Sequence, residues 1–396
     1  MIVFLVLFAI ALSEMATDIY VPALPFIYES LNVKRGLVQL TLSINLIGIS
    51  ISSLLYGFLS DCYGRRRIFL IGISIFSVAS FLCYLSNDIT SLILIRFIQG
   101  FGAGVAGVVG QAALKDLYSG TRHAQIVSRV GMVTSLSPAI GPIIGGLIIA
   151  EFDWHFVFLI LFVMGTMLLL MIFLFFQETL PNSQREQFGI TRIFTSYQVV
   201  FSNKTFLVMC VIEGIMLMWL WNEIANLPFV FISIMGMKVS HYGCFVSMSV
   251  LSYIVGTIIN HRLLPTVGID NLIRIGIIMC IIPDCVLLII GTLIVLNPII
   301  IMLVWIPSLI GLAFVVSNSI SIALSSVPKK AVARASACLS FAQMAFGSLG
   351  IYVISMLFDI NSIIPIAYTN IFCSSVALFI YTYIYKKETR KTQQSV

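Results

Sequence analysis

Glu14 and Asp18 stand four residues apart in the apolar run 2–24, and Arg96 interrupts another apolar run at 91–113. Four residues make just over one helical turn, so the two carboxyls lie on one face and can influence each other's titration. An acid left charged in hydrocarbon is costly, and one that loads and releases a proton there can couple proton movement to other work. A basic charge inside a span nearly always faces the bundle interior and finds a partner. At 1.5 Å per residue, Asp18 lies about 10 Å and Arg96 about 8 Å below the outer ends of their helices. That similar depth admits an ion pair. Contact with Arg96 would favour release of the Asp18 proton, and separation in another conformation would favour its uptake. The competing readings are a polar pair kept for helix packing and a permanent structural salt bridge.

Three further acids interrupt later apolar runs. Asp284 follows Pro283 about 18 Å into its run, near the midplane, and is the candidate for a second acid. Glu213 and Glu223 are ten positions apart, roughly 280° around a helix, so they do not share a face. Glu223 stands beside Trp219, Trp221, Asn222 and Asn226, a set that could recognise a cation at a cavity mouth. An interfacial aromatic belt explains the same cluster equally well. Tyr20, Asn45 and Gln111 are further candidates for a cavity wall, with helix packing as the competing role for each.

The elements that must hold these residues are membrane helices. Of the 396 residues 60% are hydrophobic and only 10% charged, too few charges to clothe a water-soluble enzyme or a nucleic-acid reader. The apolar runs are 2–24, 37–59, 68–86, 91–113, 126–150, 155–176, 206–228, 243–260, 272–294, 299–322, 337–358 and 363–385. Each is about long enough to cross roughly 30 Å of hydrocarbon as a helix. The expected fold is an all-α membrane protein of twelve transmembrane helices in two pseudo-symmetric six-helix halves. The formal charge of +6 reflects alternate basic connections: all Lys and Arg except Lys34, Arg35, Lys238 and Arg96 fall on one side. By the positive-inside rule both termini are cytoplasmic, and the net charge records insertion topology, not a nucleic-acid partner.

The domains follow as an N-terminal half at 1–176, a linker at 177–205, a C-terminal half at 206–385 and a cytoplasmic tail at 386–396. Ile190, Ile193, Phe194, Tyr197, Val200 and Phe201 fall at helical spacing within the linker, which predicts an amphipathic helix on the cytoplasmic interface. Gly57 to Asp61 and Gly256 to Asn260 end the second and eighth runs alike, an echo that internal repeats would produce. The opening segment, Met1 to Leu12, has no basic flank and no small-residue cleavage site, so a retained first helix is expected, with a start site a few residues upstream. Eight cysteines stand singly, without a CxxC or a His/Cys cluster, and read as apolar core residues, not disulfides or a metal site. There is no G-x-x-x-x-G-K-[ST] loop for ATP, and no nucleophile constellation surrounds the four histidines, so neither an enzyme nor a cofactor is expected.

Between the second and third runs stands Gly57-Phe-Leu-Ser-Asp61-Cys62-Tyr63-Gly64-Arg65-Arg66-Arg67, where glycines permit tight turns and an acid can form breakable ion pairs with arginines. This stretch closely resembles the G-x-x-x-D-x-x-G-R-[RK] loop of the major facilitator superfamily, whose members have twelve spans in two halves. Arg96-Phe-Ile-Gln99-Gly100 resembles the R-x-x-x-G motif of its proton-coupled members. Pro138-Ala-Ile-Gly141-Pro142-Ile-Ile-Gly145-Gly146 resembles the G-P-x-x-G-G antiporter motif. Asp18-Ile-Tyr20-Val-Pro22-Ala-Leu-Pro25 is similar to the D-x-Y-x-P-A-L-P of the bicyclomycin and chloramphenicol resistance (Bcr/CflA) family. Cys62, where a basic or polar residue is usual, and His155, where Arg is common, depart from the pattern.

The resemblance implies proton-coupled export of lipophilic drug-like compounds by alternating access from a bacterial inner membrane, by a monomer whose partners are small molecules, protons and lipid. It implies Asp18 as proton carrier with Arg96 as its partner, and Gly57, Asp61, Gly64, Arg65, Arg66 and Asp116 as a cytoplasmic gating loop. Gly141, Pro142, Gly145 and Gly146 would form a hinge and seal. Small residues at spacing four in the fifth span, and Gly100, Gly102, Gly104, Gly107 and Gly110 in the fourth, lead one to expect that these two spans pack closely together. The rivals are a carrier of a metabolite such as an amino acid or sugar, and a membrane receptor or scaffold that does not transport.

Overall fold

The computed structural model describes residues 1–185, 198–293, 297–328, 331–357 and 362–385. Twelve of its helices are long and apolar enough to cross a membrane. They are α1 (Ile2–Leu31), α2 (Arg35–Tyr63), α3 (Arg65–Tyr84), α4 (Ile89–Leu117), α5 (Gly120–Glu151), α6 (His155–Phe175), α7 (Lys204–Ile234), α8 (Val239–Val267), α9 (Ile269–Thr292), α10 (Pro298–Ser325), α11 (Arg334–Met356) and α12 (Ile364–Tyr385). No strand occurs among the described residues, so the all-α, twelve-span architecture is the one the sequence predicts. Several helices overrun the apolar runs by a turn or more. A helix satisfies its own backbone hydrogen bonds beyond the hydrocarbon, where hydropathy no longer marks it.

The chain forms two compact units. Unit 1 holds Met1–Ile193 and Met237–Ser247, and unit 2 holds Phe194–Gly236 and Met248–Val396. The first turns of α8 thus group with unit 1, where the sequence reading placed the whole span in the second half. Most of the proposed amphipathic helix, and the tail at 386–396, lie outside the described residues; residues 198–201 are helical, with Val200 buried and Phe201 exposed.

Two helices of unit 1 are interrupted where chemistry is expected. The regular part of α1 stops at Asp18, a 3-10 turn follows at Val21–Ala23, and an α-helix resumes at Leu24–Leu31. Pro22 has no N–H to offer the carbonyl four residues earlier, which belongs to Asp18, so the helix loosens at the acid. In α4 the break comes at Gly104, between Ile89–Ala103 and Val105–Leu117. Asp88 caps the start of α4 by accepting the Ser91 backbone N–H at 2.8 Å, and these Ser91 hydrogen bonds hold its exposed carboxyl below the usual carboxylate range.

The glycines of α4 do not serve contact with α5. A Cβ on Gly100 would overlap the Asn45 carbonyl of α2, and one on Gly102 would press the Phe76 backbone of α3. Gly107 meets nothing within 4 Å. The expected close pair of fourth and fifth spans is therefore replaced by α4 against α2 and α3, and by α5 against α1. Small residues announce a close approach, and the side-chain volumes on the remaining helices decide which neighbour takes it.

Candidate functional site

Asp18 is buried at the break in α1, with α5 pressed against it. A Cβ on Gly141 would lie 2.5 Å from the Asp18 Cβ, and one on Gly145 would overlap the Ile19 carbonyl oxygen. Only glycine lets α5 come so near the acid. Ser137 of α5 lies beside Asp18, yet Asp18 Oδ2 and Ser137 Oγ each lack a hydrogen-bond partner. Glu14 is half-buried one turn earlier on α1. Gly146 faces elsewhere, with room for a Cβ only 2.6 Å from the Val239 carbonyl of α8, and Gly243 of α8 lies equally close to the Pro142 carbonyl. Ser247 of α8 donates to the Ala139 carbonyl of α5. The motif Gly141 to Gly146 is thus a two-sided contact, with α1 on one side and the start of α8 on the other.

Arg96 is fully buried, and it does not make the expected ion pair with Asp18. Its guanidinium carbon sits 4.3 Å from the Tyr20 ring centroid, a cation–π geometry. Nη1 donates to Gln99 Oε1 at 2.6 Å and more weakly to the Ala16 carbonyl at 3.5 Å. Gln99 is anchored in turn, donating to Ser80 Oγ at 2.8 Å. Asp18 is turned to α5 while Arg96 takes a π face and an amide, so equal depth was not enough to join them. Arg96 Nε and Nη2 and Asp18 Oδ2 keep unused hydrogen-bonding capacity.

Tyr20 and Asn45 frame this arginine. The Tyr20 hydroxyl hydrogen-bonds with Thr41 Oγ1 at 2.6 Å, and its ring packs on Phe158. Asn45 Nδ2 donates to the Arg96 carbonyl at 2.9 Å, which ties α2 to α4 at the point of their closest approach. Gln111 is exposed and belongs to neither network.

The junction of α2 and α3 carries a second assembly. Gly64 has φ +95°, a backbone that side chains other than glycine rarely adopt, and a Cβ there would also overlap Glu178. Arg65 is nearly buried; its Nη1 meets Asp61 Oδ1 at 2.6 Å and Ser60 Oγ at 2.6 Å, and its Nε meets Asp116 Oδ2 at 3.0 Å. Thr179 Oγ1 also donates to Asp116 Oδ2, at 3.2 Å. Arg66 donates to the Phe173 carbonyl at 2.7 Å. Gly57 faces Val108 of α4, where a Cβ would come within 3.3 Å. Glu178 completes the assembly by accepting the backbone N–H groups of Arg65 and Arg66 at 2.8 and 3.3 Å, a carboxylate at the positive end of α3. Arg185 adds an ion pair to Glu178 at 3.6 Å.

In unit 2 the acids are internal. Asp284 and Glu223 are both buried. Because α7 continues to Ile234, Glu223 lies about three turns inside its helix. Asn370 of α12 donates to Glu223 Oε1 at 2.6 Å, and Trp219 Nε1 donates to Asp284 Oδ2 at 2.8 Å. Glu213 accepts from Gln343 of α11 at 2.5 Å. Gln99, Glu178, Gln343 and Asn370 were not among the site residues read from the sequence. Gln99 lies inside the Arg96 to Gly100 motif, Glu178 at the start of the linker, and the other two are uncharged amides in apolar runs, which leave little trace.

Two interrupted helices with buried ionisable groups, in a bundle of twelve spans, define a membrane carrier. The pattern of the Major Facilitator Superfamily matches residues 6–392, and the chain belongs to that family. A bicyclomycin resistance protein homolog of Haemophilus influenzae is 26% identical over 381 residues, 94% of this chain and 93% of that protein. Multidrug resistance protein D of Escherichia coli is 35% identical over 199 residues, 50% of this chain and 49% of its own length. Among solved structures, a peptide transporter POT in complex with sulfate superposes with TM-score 0.78 at 14% identity, covering 98% of this chain and 94% of that one. The human organic anion transporter MFSD10 gives 0.69 at 17% identity, covering 96% and 99%. These two share the fold.

Proposed function

We propose that this chain exports lipophilic drug-like compounds in exchange for protons, as a multidrug efflux carrier of the Bcr/CflA type in a bacterial inner membrane. The observation that carries the reading is Asp18: a buried acid at a helix break, enclosed by Gly141 and Gly145 of α5, with one oxygen unsatisfied. The names of relatives along most or half of the chain support the substrate class. Asp18 carries the proton. Arg96, held at present by Tyr20 and Gln99, keeps donors free to take Asp18 when α1 and α4 shift, and that contact favours the ionised acid. Transport then follows from alternation, since the proton is released in one conformation and regained in the other. Basic connections on one side place both termini and the Asp61, Arg65 and Asp116 assembly in the cytoplasm, where it latches one conformation.

Purified protein in liposomes with an internal pH dye and an imposed proton gradient tests this directly. Addition of chloramphenicol-like or cationic compounds should trigger proton movement, and Asp18→Asn should abolish it while the protein still folds. Full active export by Asp18→Asn sinks the carrier assignment. Silence toward every drug, with folded protein, would shift the substrate to a metabolite such as an amino acid or sugar.

A further inference from the structure

Glu223 and Asp284 are buried in unit 2 with no cation to balance them. Among the described residues the buried polar side chains of this unit include acids, amides and hydroxyls but no lysine, arginine or histidine. Asn370 holds the first acid: its Nδ2 donates to Glu223 Oε1 and its carbonyl oxygen accepts from Asn222 Nδ2 at 2.7 Å, while Trp219, the partner of Asp284, stands one turn before Glu223 on α7. Trp219 satisfies one oxygen of Asp284. The other, Oδ1, has no hydrogen-bond partner although the residue is 0% exposed. On α10, Trp305 Nε1 is a buried donor without an acceptor, and its ring lies 6.3 Å from that of Trp219.

Arg274 on α9 and Lys204 on α7 stand ten or more residues along their helices from Asp284 and Glu223, about 15 Å or more away, and neither is among the buried side chains. Cys280 on α9 and Cys373 on α12 lie within electrostatic reach of Asp284, and both are thiols. Gln343 on α11 serves Glu213, about 15 Å away along α7. Two ionised carboxylates in such an interior would repel each other with no cation to offset the loss of water. One proton between them removes the repulsion and leaves a single charge, which Asn370 and Trp219 can solvate.

We propose that Glu223 and Asp284, held by Asn370 and by Trp219 one turn away on α7, form a second proton-binding site in which the two carboxyls hold one proton between them. What the site does rests on the antiport reading: together with Asp18 it lets two protons exchange for one drug, so that export of a monocation still moves net positive charge inward.

Infrared spectroscopy of the purified full chain in lipid at neutral pH reads the proton itself, through the C=O band of protonated carboxyls. Glu223→Gln and Asp284→Asn should each shift one such band, and the double variant should lose it. An unshifted band in either single variant, or a band that survives in the double variant, overturns the sharing. Should an acid variant fail to fold, Asn370→Gln keeps both acids and must alter the same spectral region; an identical spectrum overturns the proposal equally. The measurement needs no drug. A carrier that proves silent to drugs in liposomes would remove the antiport reading and leave this result to stand or fall alone.

Discussion

The polar interiors of the two units differ in what can be neutralised. Unit 1 buries two arginines, Arg96 in mid-helix and Arg65 at the α2–α3 junction, together with Asp18. The buried charged side chains described in unit 2 are Glu213, Glu223 and Asp284, all acids. A guanidinium stays protonated at any working pH, so unit 1 carries fixed positive charge, against which the proposed mechanism has Asp18 gain or lose its proton. The buried charge of unit 2 is set wholly by how many protons its acids hold. Amides hold the acids there, Asn370 on Glu223 and Gln343 on Glu213, without imposing a charge. On the proposed mechanism the difference teaches that one unit switches an acid by proximity to a permanent cation, and the other shares a proton between acids.

The sharpest way to break that contrast is to remove the fixed charge. Arg96→Leu loses the hydrogen bond to Gln99 and the stack on Tyr20. Hydrogen bonds to a charged group contribute about 1.5 to 3 kcal/mol. If they are made selectively along the transport cycle, proton-driven drug flux in liposomes should fall about 10- to 100-fold. Arg96→Lys keeps the charge but not the planar fork that meets Gln99 while lying on a ring, so it should recover only part of the loss. Complete recovery by Lys would mean that charge alone matters, and the geometry around Tyr20 would be incidental.

How far this contrast could be read from sequence depends on what a residue type betrays. Charges in apolar runs are conspicuous, so Asp18, Arg96, Glu223 and Asp284 stood out, and the motifs around Gly57 to Arg67 and Gly141 to Gly146 pointed to the superfamily that residues 6–392 match. Contacts were less legible. Depth along a helix follows from spacing, but the rotation that turns Asp18 to Gly141 and Arg96 to Tyr20 does not. Glycines at spacing four showed that α5 packs tightly, and hid that its partners are α1 and the first turns of α8. Asn370 has no charge to draw notice in its apolar run, and the reach of Glu178 back to the start of α3 spans more than a hundred positions. Hydropathy ended α7 at 228, and the helix runs on to Ile234, which sets Glu223 deeper along it than the apolar run indicated.

A smaller effect sharpens the comparison from the side of unit 2. Asn370→Leu leaves Glu223 Oε1 and Asn222 Nδ2 without the partners they have now. Each buried group left unsatisfied costs about 1 to 3 kcal/mol. The thermal unfolding midpoint of the purified protein should drop clearly, and more than for Asn45→Leu, whose main loss is the bond to the Arg96 carbonyl. A carbonyl has a second lone pair and a helical partner, so it tolerates that loss better than a carboxylate does. If Asn45→Leu proves the more damaging, amides do not carry unit 2 in the way proposed.

The smallest effect concerns the junction of α2 and α3, where arginine and acids also meet but at a wetter place. The Asp61 side chain is 43% exposed and that of Arg65 8%. An ion pair of this kind contributes at most about 1 kcal/mol, and Arg65 would keep Asp116 and Ser60 after Asp61→Asn. One kcal/mol corresponds to about fivefold in an equilibrium constant. Asp61→Asn should therefore shift the balance between conformations, and slow cycling, by no more than about that factor, with drug binding unchanged. Asp116→Asn should do more, because Asp116 is half as exposed as Asp61 and holds Thr179 as well as Arg65. Turnover measured at saturating drug separates the two variants. Equal turnover in Asp61→Asn and the unaltered protein would remove Asp61 from the latch, while leaving the less exposed Arg65–Asp116 pair as the contact that has to open.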